Sequence, residues 1–285
     1  MQSNLCKPWE HRLSRRQWLG GMLGATAAAG LAPLLHLRAE EVAAAKEKQV
    51  LFIWIDGGIS QYESWDPKPN TQFGGPFRPI TTSVPGTQFC ELLPRSAQQA
   101  HRLTIIRSMC TQDNSHSAGV PRIQRGDPKN RGVTYPFLGS AVANLLGPCA
   151  SGLPPYVSIK PGNGGFIYQD AGFLGPQYGA LAFGDGKPPE NLLRPDSISA
   201  EDDLARHELR EQANRRYGAR RRPQVNDANT AVFEMARKLM ERRDLFDTSK
   251  LDPRDVERYG THEIGRHLLQ ARGMLEAGVR FVKVT

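Results

Sequence analysis

The sequence has 285 residues, of which 39% are hydrophobic and 23% charged, with 28 glycines and 21 prolines. This composition excludes a disordered or fibrous chain and is typical of a globular domain with many turns. The formal net charge of +8 suits either an anionic ligand or a mildly basic soluble protein. The four cysteines contain no CxxC pair, which argues against a disulfide framework or a cysteine-rich zinc site.

Residues 1–45 have the pattern of an export signal. Arg15 and Arg16 stand two residues ahead of Trp18, and a weakly apolar run rich in glycine and alanine follows over residues 20–35. This resembles a twin-arginine signal, which implies the twin-arginine translocase as a partner and a periplasmic or extracellular location. The run is shorter than the roughly 20 residues that a membrane-spanning helix needs, so we expect no stable membrane span.

The mature part, residues 46–285, is predicted to be one α/β domain. Residues 49–55 form a nearly continuous apolar run, which is typical of a strand buried on both faces of a parallel sheet. Asp56 follows this run and is expected at the carboxyl end of the strand, where open α/β sheets bind their ligands. A carboxylate there is a candidate ligand for a divalent cation, whereas an aspartate before two glycines is equally typical of a turn.

The rest of the chain alternates between helix and strand signals. Strands are predicted over residues 102–107, 156–159 and 279–285, and helices over residues 94–101, 137–146, from 199 onward, around 231–239 and over 263–276. Ser199, followed three residues later by Asp202, fits a capping box at a helix start. The alternation predicts a doubly wound, mostly parallel sheet. Because a strand normally feeds a following loop, the strand that ends at Thr285 predicts a C-terminally incomplete domain.

The polar loop over residues 110–131 carries the second group of candidate site residues. Ser115, His116 and Ser117 combine two hydroxyls with a histidine, which is a metal ligand or a proton donor and acceptor near neutral pH. The alternative is a capping loop with a surface histidine. Because the loop follows a predicted strand, it is expected to face Asp56 across neighbouring strand ends.

Charged residues near this loop suggest an anion site. Arg107, Arg122 and Arg125 suit a sulfate, phosphate or carboxylate group, although a solvated basic loop has the same appearance. Asp66, before Pro67, is either a second oxygen ligand or a helix cap. The basic run over residues 215–223 is interpreted as a solvated helix end, and no nucleic acid is expected as a partner of an exported protein.

Two segments resemble catalytic motifs but differ from them in spacing or composition. His262 and His267 are five residues apart, whereas the zinc-protease motif needs four so that both histidines share one helix face. We therefore interpret this helix as structural. Cys110 lacks the following proline and arginine that a sulfatase nucleophile motif would show.

Taken together, the mature chain resembles the family catalogued as domain of unknown function 1501 (DUF1501), whose members are commonly exported by twin-arginine signals and placed with the alkaline phosphatase and sulfatase fold. The residues that carry the resemblance are 51–55, 57–61, 65–69, 107–109, 115–117, 172–176 and 277–282.

The resemblance implies an exported hydrolase of sulfate or phosphate esters, with an anionic small molecule or a sulfated or phosphorylated glycan as substrate. It implies a divalent metal ion (Zn, Ca or Mg), for which Asp56, Asp66 and His116 are the candidate ligands. Counting back ten residues from Gly126, as sulfatases are spaced, places His116 where relatives of known activity hold Ser, Thr or a modified Cys, with Ser115 and Ser117 as alternatives. Family members typically continue past the equivalent of Thr285, where the remaining Asp and His ligands lie. The alternatives are a non-catalytic binder of anionic glycans and a truncated, inactive family member.

Overall fold

A computed structural model describes residues 48–55, 58–111, 113, 115–126, 132–147, 149, 151–160, 170–184, 192–219, 223–247 and 251–285. The predicted signal over residues 1–45 and the predicted metal ligand Asp56 lie outside these residues. The strands are β1 (Val50–Ile53), β2 (Pro79–Thr81), β3 (Gln88–Cys90), β4 (Tyr156–Lys160), β5 (Leu181–Gly184) and β6 (Phe281–Val284). The α-helices are α1 (Pro94–Gln98), α2 (His116–Arg125), α3 (Leu138–Leu146), α4 (Ala200–Gly218), α5 (Pro223–Glu241), α6 (Pro253–Tyr259) and α7 (Glu263–Glu276).

The centre of the fold is a four-stranded sheet in the order β1-β6-β4-β5, in which every neighbouring pair is parallel. The last strand of the chain is therefore inserted between β1 and β4, with Val282 opposite both Leu51 and Val157. This arrangement confirms the predicted α/β class with a parallel sheet.

Helices cover both faces of the sheet. On one face, Val282 and Val284 of β6 pack with Ala271 and Met274 of α7 in the largest apolar cluster. On the other face, Phe281 belongs to a second cluster with Tyr156 and with Ala143 of α3. The alternation of side chains along β6 produces this division, because successive residues of a strand point to opposite faces. Each fully buried large apolar side chain contributes about 1.5–3 kcal/mol.

The first strand is where it was predicted, but its environment is different. β1 lies at one end of the strand order, and Leu51 and Ile53 are 40% and 45% exposed. Val50 and Phe52, which point to the opposite face, pack against the cluster that contains Phe281. The prediction that residues 49–55 are buried on both faces is therefore wrong for the described strand, because the described elements cover only the face of β1 that carries Val50 and Phe52.

The predicted strand over residues 102–107 is also wrong. A 3₁₀-helix over Ala100–Arg102 leads into an extended segment without strand pairing over residues 103–106. Ile105 packs against the small antiparallel hairpin of β2 and β3, whose buried centre is Phe89, while Leu103 and Ile106 are exposed. This segment thus belongs to the hairpin subdomain instead of entering the parallel sheet.

The helices predicted over residues 137–146, from 199 onward, around 231–239 and over 263–276 are present. The prediction of a polar loop over residues 110–131 is wrong for α2, whose internal Gly119 and Pro121 are poor helix formers, and α6 lies where a turn was predicted.

α7 has the predicted bounds, and α4 begins directly after Ser199, whose hydroxyl accepts a hydrogen bond from the amide of Asp202 at 3.0 Å. α6 begins after Asp252, whose carboxylate accepts from the amide of Arg254. None of the helices in the described part of the chain has the length and apolarity needed to cross a membrane.

Candidate functional site at the carboxyl edge of the sheet

The carboxyl ends of β1, β6 and β4 meet at one edge of the sheet. Ile53 is paired with Val284, and the amide of Trp54 donates to the carbonyl of Val284 at 2.7 Å. On the other side of β6, the amide of Thr285 donates to the carbonyl of Ile159 at 3.0 Å. Asp56 follows Trp54 by two residues in the sequence. The strand that leads to Asp56 therefore reaches the edge at which ligands of parallel α/β sheets bind.

A buried lysine lies one residue before this edge. Lys283 is paired in register with Phe52 of β1 and Ser158 of β4, and the residue is only 3% exposed. Its ammonium group donates to the side-chain oxygen of Gln124 in α2, with Nζ and Oε1 3.0 Å apart. Because a buried charge is costly without hydrogen-bond acceptors, this contact is a specific attachment of α2 to the middle of the sheet.

The helix that Gln124 anchors begins at the predicted histidine. Ser115 is the N-cap residue of α2 and His116 is its first residue, and both are exposed. Eight residues separate His116 from Gln124, which corresponds to about 12 Å along the helix axis. The structure therefore holds the start of α2 at a fixed distance from the helix's contact with β6.

The loop before α2 is shaped by Asp113 and Thr111. The carboxylate of Asp113 accepts from the amide of Ser115 at 3.1 Å, and the hydroxyl of Thr111 donates to the carbonyl of Asp113 at 2.8 Å. These are local turn bonds of the kind that aspartate and threonine make before a helix. They fix the direction from which the chain enters α2, and so the direction in which Ser115 and His116 are presented.

Arg122 and Arg125, two of the arginines predicted to bind an anion, have different contacts with the rest of the protein. Arg125 makes an ion pair with Asp170 at 2.5 Å, and its guanidinium lies 4.0 Å above the ring of Phe137. Its side chain is 8% exposed. The Nε of Arg122, on the same helix, is buried and has no hydrogen-bond partner among the described residues. The Nε of Arg125 is likewise buried without a partner among these residues, so Arg122 is distinguished as a candidate for an added anion by the Asp170 carboxylate that Arg125 already contacts.

Arg107 and Asp66, predicted for different roles, are placed together. Two guanidinium nitrogens of Arg107 donate to the carbonyl of Trp65, and one of them also donates to the carbonyl of Gln88 in β3. Its Nε lies 3.5 Å from Oδ1 of Asp66, an oxygen that also accepts from Lys68 at 2.8 Å. Arg107 and Asp66 thus join the turn at Trp65 to the hairpin. Their roles in anion and metal binding remain predictions.

The described residues do not make a metal site. They contain no group of three or more His, Cys, Asp or Glu side chains arranged to hold an ion. The Oδ1 atom of Asp66 is shared by two cationic side chains, which compete with a metal ion for the same lone pairs. The carboxylate of Asp56, outside the described residues, is not tested by this geometry.

Sequence reasoning missed three residues that organise this edge, namely Lys283, Gln124 and Asp170. One signal was present, because Lys283 interrupts an apolar strand at a position that shares a face with the buried Phe281. Gln124 and Asp170 had no such signal. Their partners are distant in sequence, and local patterns do not report pairs of that kind.

These features define a protein with a parallel α/β sheet whose inner strand β6 is joined through Lys283 to the helix that begins after Ser115. The family model for a protein of unknown function, DUF1501, matches residues 47–285. The chain belongs to the DUF1501 family. No curated protein and no solved structure matches the chain.

Proposed function

We propose that this chain belongs to an exported hydrolase of sulfate or phosphate esters, with a doubly wound sheet of the alkaline phosphatase and sulfatase type. The observation that carries the proposal is the hydrogen bond between Lys283 and Gln124. It attaches the helix that begins at His116 to the strand next to β1, and β1 leads to Asp56. This contact supports the expectation that the two candidate groups share one edge of the sheet.

The proposed chemistry uses residues of α2 and of the loop before it. A sulfate or phosphate ester carries negative oxygens, which the amide groups and dipole at a helix N-terminus favour. The guanidinium of Arg122 supplies a charge-assisted donor to the same oxygens. Ser115 or Ser117 attacks the sulfur or phosphorus atom while His116 accepts the hydroxyl proton, and the bond to the ester oxygen breaks as His116 returns that proton to the departing alcohol. Water then attacks the serine ester and releases sulfate or phosphate. Alternatively, His116 itself occupies the nucleophile position.

A divalent metal ion held partly by Asp56 remains part of the family expectation. When bound, such an ion neutralises charge that develops on the ester oxygens. The steps above describe what the protein's own groups do, and a bound ion would add this charge neutralisation to them.

The test is hydrolysis of an aryl sulfate and an aryl phosphate by the natural gene product, with and without a chelator. We expect activity toward one ester class that falls when metal is removed. His116→Ala and Arg122→Ala should each lower kcat/KM by about 10²-fold or more if proton transfer and anion contact are lost. His207→Ala and Arg206→Ala, both on α4, are the matched controls and should leave kcat/KM unchanged. Absence of metal-dependent hydrolysis of both esters would reject the proposal.

The donor capacity of Arg122 favours a second candidate, a non-catalytic protein that binds anionic glycans. This candidate predicts binding of a sulfated oligosaccharide that survives Asp56→Ala and is lost with Arg122→Ala. The hydrolase predicts that Asp56→Ala abolishes turnover. Measuring binding and turnover on the same two variants therefore separates the candidates.

We further propose export by the twin-arginine route from the pattern over residues 1–45. Replacing Arg15 and Arg16 together by lysine should retain the precursor in the cytoplasm. Fractionation followed by immunoblotting measures this retention. Export of the double variant at the normal level would contradict the proposal.

A further inference from the structure

The longest polar helix of the described fold, α4, has an outward face with an unusual symmetry. Asp202, Ala205, Leu209, Ala213 and Arg216 are all exposed. At 100° per residue they lie within a sector of about 80° on the helix. Their positions are symmetric about Leu209, since they lie seven and four residues before it and four and seven residues after it.

The opposite side of α4 packs against α5. Asn214 donates to Thr230 of α5 at 3.3 Å, and Arg210 makes an ion pair with Glu234 of α5 at 3.8 Å. Arg210 also lies over the ring of Phe233. Leu209 points about 140° away from Asn214 around the helix, and it is 65% exposed. The symmetric face is thus separate from the packing between α4 and α5.

The charges on this face of two copies complement each other only when the two helices run antiparallel. The first turn of α4 is acidic, with Asp202 on the outward face, and the last turn is basic, with Arg216 on that face. Two such helices placed antiparallel bring Asp202 of each copy to Arg216 of the other, with Leu209 against Leu209 at the two-fold axis. A parallel pair would bring like charges together, which is unfavourable. Ala205 and Ala213 are small enough to let the two backbones approach closely.

We propose that α4 is a self-association surface, through which two copies of this chain pair antiparallel about a two-fold axis at Leu209. An isologous contact of this kind requires a self-complementary patch, and the symmetric sequence provides one. The segment from Asp202 to Arg216 is about 22 Å long, so the contact alone is smaller than the roughly 1,200 Å² of a standard stable interface. The dimer should therefore be weak, and its population should rise with protein concentration and fall with added salt.

Sedimentation equilibrium of the full chain over a range of concentrations tests the proposal. The wild-type chain should approach twice the mass of one copy at the highest concentrations. Leu209→Glu should remain monomeric. Leu204→Glu is the matched control, because Leu204 is similarly exposed on the same helix but lies about 140° from Leu209. It should associate as the wild type does.

Charge reversal tests the orientation. Arg216→Glu should raise the dissociation constant by more than the roughly 2- to 30-fold that the loss of two exposed ion pairs gives, because it also brings two like-charged pairs together. Adding Asp202→Lys to Arg216→Glu should restore the wild-type constant, because the pairs are rebuilt with their signs exchanged. Circular dichroism measures the helix content of each variant, because Asp202→Lys also removes the carboxylate that accepts from the Ser199 hydroxyl at 2.7 Å.

Several results would overturn the proposal. A wild-type chain that stays monomeric at every concentration would do so, and so would Leu204→Glu dissociating the dimer as strongly as Leu209→Glu. If the double charge reversal associates no better than Arg216→Glu alone, the antiparallel pairing is refuted. In each of these cases the face is left to solvent or to a different partner.

Discussion

Replacing Gln124 by leucine should destabilise the protein by about 1.5–3 kcal/mol, because the buried ammonium of Lys283 loses an acceptor while staying buried. Leucine fills a similar volume, so the loss is polar and not a cavity. Gln98→Leu, at an exposed position of α1, is the matched control and should change stability by less than about 0.5 kcal/mol.

A double variant makes this prediction sharper. When Lys283→Met is combined with Gln124→Leu, both members of the hydrogen bond become apolar, and such replacements are often close to neutral. The double variant should therefore be more stable than Gln124→Leu alone, although it carries one more substitution. The reverse order would show that the contact does not hold the buried charge.

Urea unfolding followed by tryptophan fluorescence measures all of these variants. The midpoint should shift without a change in the slope against urea concentration, because the surface exposed on unfolding is the same. A Gln124→Leu midpoint equal to that of the wild type would refute the reasoning. It would mean that Lys283 finds equivalent acceptors without Gln124, and the attachment of α2 to β6 would lose its energetic basis.

Three further predictions concern other parts of the fold. A methyl group added at Gly139 would lie 2.6 Å from ring atoms of Tyr156, so Gly139→Ala should lower the midpoint of thermal unfolding. Gly273 lies in an open helical position, so Gly273→Ala should raise stability by up to about 1 kcal/mol. Burial raises the pKa of the Tyr156 phenol above its ordinary value, so the unfolded state releases this proton first and stability should fall by about 1.4 kcal/mol per pH unit above pH about 10. The Ser199 hydroxyl and amide lower the pKa of Asp202, so Ser199→Ala should raise that pKa toward its ordinary value, as measured by NMR titration. Losing the helix cap should also lower the stability of the protein by about 0.5–2 kcal/mol, as measured by urea unfolding.

Each of these predictions has a control. Because Gly139 and Gly273 are both helical, equal effects of alanine at the two sites would contradict the steric argument. Tyr156→Phe should flatten the fall in stability above pH 10, and an unchanged slope would assign the fall to other groups. For the helix cap, Ser199→Asp should keep the helix start stable, because aspartate also accepts at an N-cap.

Local sequence patterns predicted the elements whose burial depends on residues that are close together in the sequence. The period of apolar residues in α7 and the short apolar run of β6 both gave elements at the observed positions. The match in burial is partial, because Leu269 of the predicted apolar face of α7 is buried while Ile264 is 40% exposed, and β6 is buried at all four positions. β5 and the β2–β3 hairpin were missed, because their short strands lie in stretches rich in glycine and proline whose turn signals are stronger.

Pairings across long sequence distances were not predictable in the same way. Residues 102–107 have the composition of a strand, yet Arg107 is directed to the carbonyl groups of Trp65 and Gln88. That contact is decided by the position of the hairpin, which local sequence does not specify. The same applies to Asp66, which was predicted to be either an oxygen ligand or a helix cap and which accepts from Lys68.

The chemistry of Lys283 links the fold to the proposed function. A core position between Phe52 and Ser158 would be filled at lower cost by an apolar side chain, since replacing buried polar pairs by well-packed apolar residues is often neutral or stabilising. The lysine and its glutamine partner instead bring an amino group to the last residues of β6, beside the strand that leads to Asp56. A positive charge near that edge favours anionic groups bound there. If this is its use, Lys283→Met should weaken binding of a sulfate or phosphate ester even where the stability of the variant equals that of the wild type. Unchanged ester binding in a variant of equal stability would limit the role of Lys283 to the attachment of α2.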